Sequence, residues 1–132
     1  MSKAILKLDW CDYKAAKYAV EHWHYSKSLS ASKNVFVGVW ENSNFIGVIV
    51  FGRGANNQIA KPYGLEQTEV CELTRVALTK HINPVTRILA IAIKLLKKQS
   101  SGLKLIVSYA DPKQNHHGGI YQGGGWLYEG KT

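Results

Sequence analysis

Apolar and polar positions along this chain switch between a helical and a strand period, and the switches mark its elements. After a short apolar start, AILKL over residues 4–8, Asp9 is placed to cap a helix with Asp12 in its first turn, where a negative charge suits the helix dipole. Tyr13, Ala16, Val20 and Trp23 then recur at i, i+3, i+7 and i+10, which predicts one face of a helix ending near His24. The runs VFVGVW (Val35 to Trp40) and FIGVIVFG (Phe45 to Gly52) are rich in β-branched and aromatic residues, and ENSN between them is turn chemistry, so they predict a hairpin. RGANNQIAKPYG, from Arg53 to Gly64, is loop material and a candidate lid or substrate contact, and TEVCELTRVAL (Thr68 to Leu78) predicts a third strand.

The clearest helix begins at Asn83-Pro84, with asparagine as N-cap and proline at the first helical position. Ile88, Ile91, Ala92, Leu95 and Leu96 form its apolar stripe, Lys94, Lys97 and Lys98 load its last turns, and Gly102 stops it. LKLIVSYA (Leu103 to Ala110) predicts a buried strand, so strand, helix and strand suggest a right-handed parallel crossover. GWLY, from Gly125, predicts a last short strand. This order of elements resembles the Gcn5-related N-acetyltransferase fold. The expected class is therefore α/β (α+β), a central mixed sheet flanked by helices, in a single domain over residues 1–132.

Composition narrows the function classes. Forty-five per cent hydrophobic and 20% charged residues exclude the signature of disorder, and no apolar segment is long enough to predict a membrane span. Lys7, Asp9 and Asp12 break up the N-terminal segment, which lacks the apolar run of a secretion signal, so the cytoplasm is the expected location. The two cysteines, Cys11 and Cys71, lie outside any CxxC pattern and argue against zinc and against a disulfide framework. Seventeen Lys and Arg against nine Asp and Glu give a net charge of +8, which points to a polyanionic partner.

Candidate chemistry concentrates in two places. The stretch RVALTKHINPVTR is rich in anion-binding groups, Arg75, Lys80, Asn83, Thr86 and Arg87, at a helix start of the kind that cradles a carrier's pyrophosphate. It lacks the usual glycines there, and Pro84 removes one donor. The second place is SYADPKQNHHGGIYQGGGW, from Ser108 to Trp126. Its glycines permit close backbone approach to a ligand, and Asp111 stands where a buried strand opens into a turn.

HWHYSKSLS (His22 to Ser30), ELTRVAL followed by NPVTR, and above all SYADP followed by HHGGIYQGGGWLYEG resemble the phage Mom-type DNA modification proteins. The last motif, an aspartate followed by H-x-G-x-I-Y-Q, falls on Asp111, His116, Gly118, Ile120, Tyr121 and Gln122. The resemblance implies an acetyltransferase-like fold and conversion of the N6 amine of adenine in double-stranded DNA to a carbamoylmethyl-type adduct, which protects phage DNA from restriction.

Such a reaction needs a base, oxyanion donors and an activated carrier held at attack distance. Asp111 is the expected base or orienting group, with a turn-capping role before Pro112 as its alternative. His24 and Tyr25 supply an imidazole and a phenol, His116 a second imidazole, and Tyr121 a group that reaches the carrier or packs under the glycines. Arg75, Asn83, Thr86, Arg87 and Ser108 are the expected contacts of the carrier, acetyl-CoA or another activated acyl donor. His24, His116 and Asp111 would also suit an iron site of two histidines and a carboxylate, although their spacing is no recognised ligand motif. Lys27, Lys33, Arg53 and Lys61 are the expected DNA contacts, with a flipped adenine stacking on Trp23, Tyr25 or Tyr63. Two other functions suit the same features: an acyl-CoA-dependent N-acetyltransferase acting on a small amine or protein, and a basic nucleic-acid-binding domain without catalysis.

Overall fold

The computed structural model describes residues 4–24, 27, 29, 33–53, 69–108, 119–122 and 125–127. Among them run β1 (Leu6–Trp10), α1 (Tyr13–Trp23), β2 (Lys33–Glu41), β3 (Asn44–Arg53), β4 (Val70–Leu78), α2 (Val85–Gln99), β5 (Leu105–Ser108), β6 (Gly119–Gln122) and β7 (Gly125–Leu127). The strands form one sheet in sequence order. Every neighbouring pair is antiparallel except β4 and β5, which run parallel on either side of α2. The expected mixed sheet flanked by helices is therefore present.

The hairpin of β2 and β3 closes through Asn42 and Ser43, with φ of 48° and 70°. Positive φ at both central residues gives a two-residue turn the twist that paired strands need. Asn42 also pins β1 to this turn, because its Oδ1 accepts from Ile5 N–H at 2.9 Å while its own N–H donates to Ile5 O at 2.9 Å.

Among the described residues, each face of the sheet carries one helix. Ala16, Ala19 and Val20 of α1 pack on Val48, Val50 and Ala77. On the other face Ile88, Ala92, Ile93 and Leu96 of α2 pack on Val37, Val39, Ile49, Phe51, Cys71, Leu73 and Ile106. Side chains such as Phe51, Ile49 and Ile88 are fully buried, and burial of each stabilises the fold by about 1.5–3 kcal/mol.

Several local expectations change. Pairing with β2 carries β1 through Asp9 to Trp10, so Asp12, not Asp9, caps α1, its Oδ1 accepting from Ala15 N–H at 2.8 Å. Tyr13 leaves the expected apolar face, 57% exposed and edge-on to Phe36 with ring centroids 6.2 Å apart. In α2 the helix begins one residue later than expected, with Pro84 at the N-cap and no side-chain cap, because Asn83 is buried and its amide is engaged elsewhere. Ile93 rather than Ile91 or Leu95 completes its buried stripe, and the helix ends at Gln99 on Ser100, ahead of Gly102. Part of the glycine-rich segment is a strand: β6 pairs Tyr121 with Ile106 and Ile120 with Val107.

Candidate active site

The parallel junction is short. Among the described residues, β4 and β5 pair over Val70–Leu105, Cys71–Ile106 and Glu72–Val107, and β4 runs along β3 to Leu78. Ser108 is the first residue of β5 past the last described pair. Parallel strands in such sheets present their carboxyl ends to ligands.

A bulge sits at the same level. Val50 faces Arg75 and Phe51 faces Leu73, so Thr74 is the extra residue, and its Oγ1 donates to Val50 O at 3.1 Å. Bulges of this kind re-aim neighbouring side chains. The register places Arg75 opposite Val50 and Glu72 opposite Gly52, on the face that carries α1. Arg75 is half-buried and its Nη1 donates to Thr74 O at 2.8 Å. Burial pushes the Glu72 carboxyl up, and the Arg75 charge works against that shift. Glu72, which sequence reasoning did not single out, is therefore an acidic neighbour of Arg75.

One end of the sheet gathers several of the expected residues. Trp23 lies 6.0 Å from Phe45, which places the end of α1, and His24 with it, beside the start of β3. Gly47 near the start of β3 faces Leu78 at the end of β4, from which the chain leads into α2. His24, Asn83, Thr86 and Arg87 thus share this end, and β5 points toward it. Lys27 is exposed in a turn closed by its N–H to His24 O at 3.1 Å. Lys33 and Arg53 instead face each other at the other end of the hairpin, roughly 30 Å away along β3. Tyr25, Lys61, Tyr63, Asp111 and His116, with most of the Arg53 to Gly64 loop, lie outside the described residues, as do the side chains of Lys33, Arg53, Ser108 and Tyr121. Two of the three residues considered for iron are among them, and the described residues contain no group of three His, Cys, Asp or Glu able to hold a metal.

The expected anion site before α2 is built around a carboxylate of the chain itself. Glu41, at the end of β2, is 5% exposed. Its Oε1 and Oε2 accept from Ile82 N–H at 2.9 and 3.0 Å, and Oε2 also accepts from Asn83 N–H at 2.6 Å and Asn83 Nδ2 at 2.8 Å. Asn83 Nδ2 donates to Ala4 O at 3.3 Å as well, and Asn83 Oδ1 accepts from Arg87 Nη1 at 2.7 Å. Burial works to raise the Glu41 carboxyl. The hydrogen bonds from Asn83 and Ile82, with His81 close by, outweigh it and hold the group below its usual range. Thr86 and Arg87 are exposed on the first turn. Glu41 carries no sequence signal for this role, since it reads as part of a hairpin turn.

Cys11 is chemically quiet: burial, with the Asp12 charge adding to it, pushes its thiol up to about 11. No described helix is long and apolar enough to cross a membrane.

These features define a class: an α+β protein with one mixed sheet that has a single described parallel junction, its first strand leading into a helix start. The particular family follows from sequence. The model of the Mom protein family matches residues 5–132, and the chain belongs to that family. Membership points to phage DNA adenine modification. No curated protein matches the chain.

Proposed function

We propose that this protein is a DNA modification enzyme that transfers an acyl-type group from an activated carrier to the N6 amine of adenine in double-stranded DNA, a modification that protects phage DNA from restriction. The observation that carries the reading is the family match over residues 5–132. The parallel β4–β5 junction around α2 in an otherwise antiparallel sheet supports an acetyltransferase-like framework, and the charge of +8 supports a nucleic-acid substrate.

The target adenine leaves the base stack, as chemistry at N6 inside a duplex requires, and binds at the carboxyl ends of β4 and β5. Bond formation at N6 needs removal of one of its protons, the role assigned to Asp111, three residues past the end of β5. His24, at the end of α1, and Tyr25, His116 and Tyr121 orient the base or donate to the developing charge. Arg75, on β4 past its described pairing with β5, supplies a fixed positive charge. The group itself comes from an activated acyl carrier.

Intact-nucleoside mass spectrometry of DNA from cells expressing the protein tests this. A new deoxyadenosine derivative, absent with the empty vector, is the expected result. Unmodified DNA from cells that hold soluble, folded protein overturns the proposal, and acetylation of a small amine or protein instead would move it to the N-acetyltransferase class.

A further inference from the structure

An acetyltransferase-like fold implies a coenzyme A donor whose pyrophosphate rests on free backbone N–H groups between the strand before the main helix and the start of that helix. The loop that leads into α2 does not fit that group. A pyrophosphate in such a cradle needs consecutive N–H donors and an approach free of negative charge. Here Ile82 and Asn83 already give their N–H groups to the Glu41 carboxylate, at 2.6 to 3.0 Å. Position 84 is proline and has no N–H. Arg87 N–H turns back to Pro84 O at 3.1 Å, and Ile88 N–H bonds the same oxygen at 3.2 Å. The Asn83 side chain is committed at both ends, to Glu41 and to Arg87.

We infer that Glu41 is a specificity-determining residue that excludes donors bearing a pyrophosphate from the start of α2, so the acyl donor of this enzyme is not seated there by a coenzyme A pyrophosphate. The inference rests on the acyl-transfer reading and narrows its donor. Glu41 acts as a resident anion: it occupies the Ile82 and Asn83 donors of the loop, and it adds a like charge that repels a phosphate approaching the Val85 and Thr86 N–H groups at the start of α2. Displacing it would strand a buried carboxylate without its hydrogen-bond donors, a cost that binding a phosphate in its place does not offset. Its depressed proton affinity keeps it ionised, and in place, at neutral pH.

The test follows the backbone amide resonances of Ile82 and Asn83 in the ¹⁵N-labelled full-length protein at neutral pH. Millimolar coenzyme A or inorganic pyrophosphate is expected to leave both resonances unmoved, whereas E41Q shifts both. A saturable shift of either resonance in the wild-type protein on adding coenzyme A or pyrophosphate overturns the inference. Should E41Q fail to fold, acid titration of the wild type serves instead: both amides are expected to move together at a pH below the ordinary carboxylate range, and independence from that titration would remove Glu41 from the role. The titrations contain no DNA, so this inference and the proposed function fail separately. Modified adenine with amides shifted by coenzyme A sinks the inference alone; unmoved amides with unmodified DNA sink the function alone.

Discussion

Glu41 and Asn83 stand 42 positions apart in the chain, yet one carboxylate oxygen of Glu41 accepts from both the backbone and the side-chain amide of Asn83, at 2.6 and 2.8 Å. The pair joins the β2–β3 hairpin to the start of α2, and through Asn83 it also reaches the Ala4 carbonyl ahead of β1. Three separate parts of the chain therefore depend on one buried charge.

That dependence has a pH signature. Glu41 titrates below its usual range, so its contribution is complete above the unfolded-state pKa of about 4.3 and is lost as pH falls through the lower folded value. Glu41→Gln keeps one acceptor but turns an N–H₂ group toward the loop's donors, and it is expected to lower stability by about 2 kcal/mol at pH 7. The difference shrinks on acidification as the wild type loses its advantage. Urea midpoints at pH 7 and pH 3 check this, and an equal difference at both would show that the charge is not what matters.

Gly47 tests the β3–β4 pairing beside the candidate site. Its φ is 154°, and a Cβ there would collide with the Ala77 carbonyl and lie 2.9 Å from Leu78 Cα. Gly47→Ala is expected to destabilise the protein by more than ~2 kcal/mol, because strand backbone has nowhere to move. Gly102→Ala is the control: a Cβ at Gly102 meets nothing within 4 Å, and the change should stay within about 0.5 kcal/mol. Thermal melting of the two variants beside the wild type decides the matter.

Charge makes the DNA reading quantitative. With a net +8, binding to duplex DNA is expected to weaken at least ~10-fold between about 50 and 200 mM salt, through counterion release. Fluorescence anisotropy of a labelled duplex measures it. Flat affinity over that range, or none at low salt, would remove duplex DNA as the partner.

Asp111 carries the proposed chemistry. Asp111→Asn keeps size and most hydrogen-bonding geometry but removes basicity, so modified adenine is expected to fall roughly 10²-fold or more with little change in melting temperature. A turn-capping role predicts the opposite, near-normal modification with Asn and a stability loss only with Ala. Nucleoside counts from cells expressing each variant, with melting curves of the purified proteins, separate the two and in the second case shift the weight to His24, Tyr25 and His116.

Local chemistry by itself determined much of this protein. Helical and alternating periods located α1, the hairpin, β4, α2 and β5 because each depends on side chains close in sequence, and the turn at Asn42 and Ser43 was legible for the same reason. The motifs around His24, Asn83 and Asp111 carried the family, which the match over residues 5–132 bears out. What the chain hid was decided by contacts at long range. Asp9 has the chemistry of a cap, but pairing between β1 and β2 draws it into a strand and passes the cap to Asp12. Gly119 to Gln122 is too rich in glycine and polar groups to announce a strand, and it becomes one because β5 and β7 flank it. Asn83 reads as an N-cap until the fold brings Glu41 against it. A buried carboxylate needs several donors at once, and only tertiary structure could say that the loop before α2 would supply them.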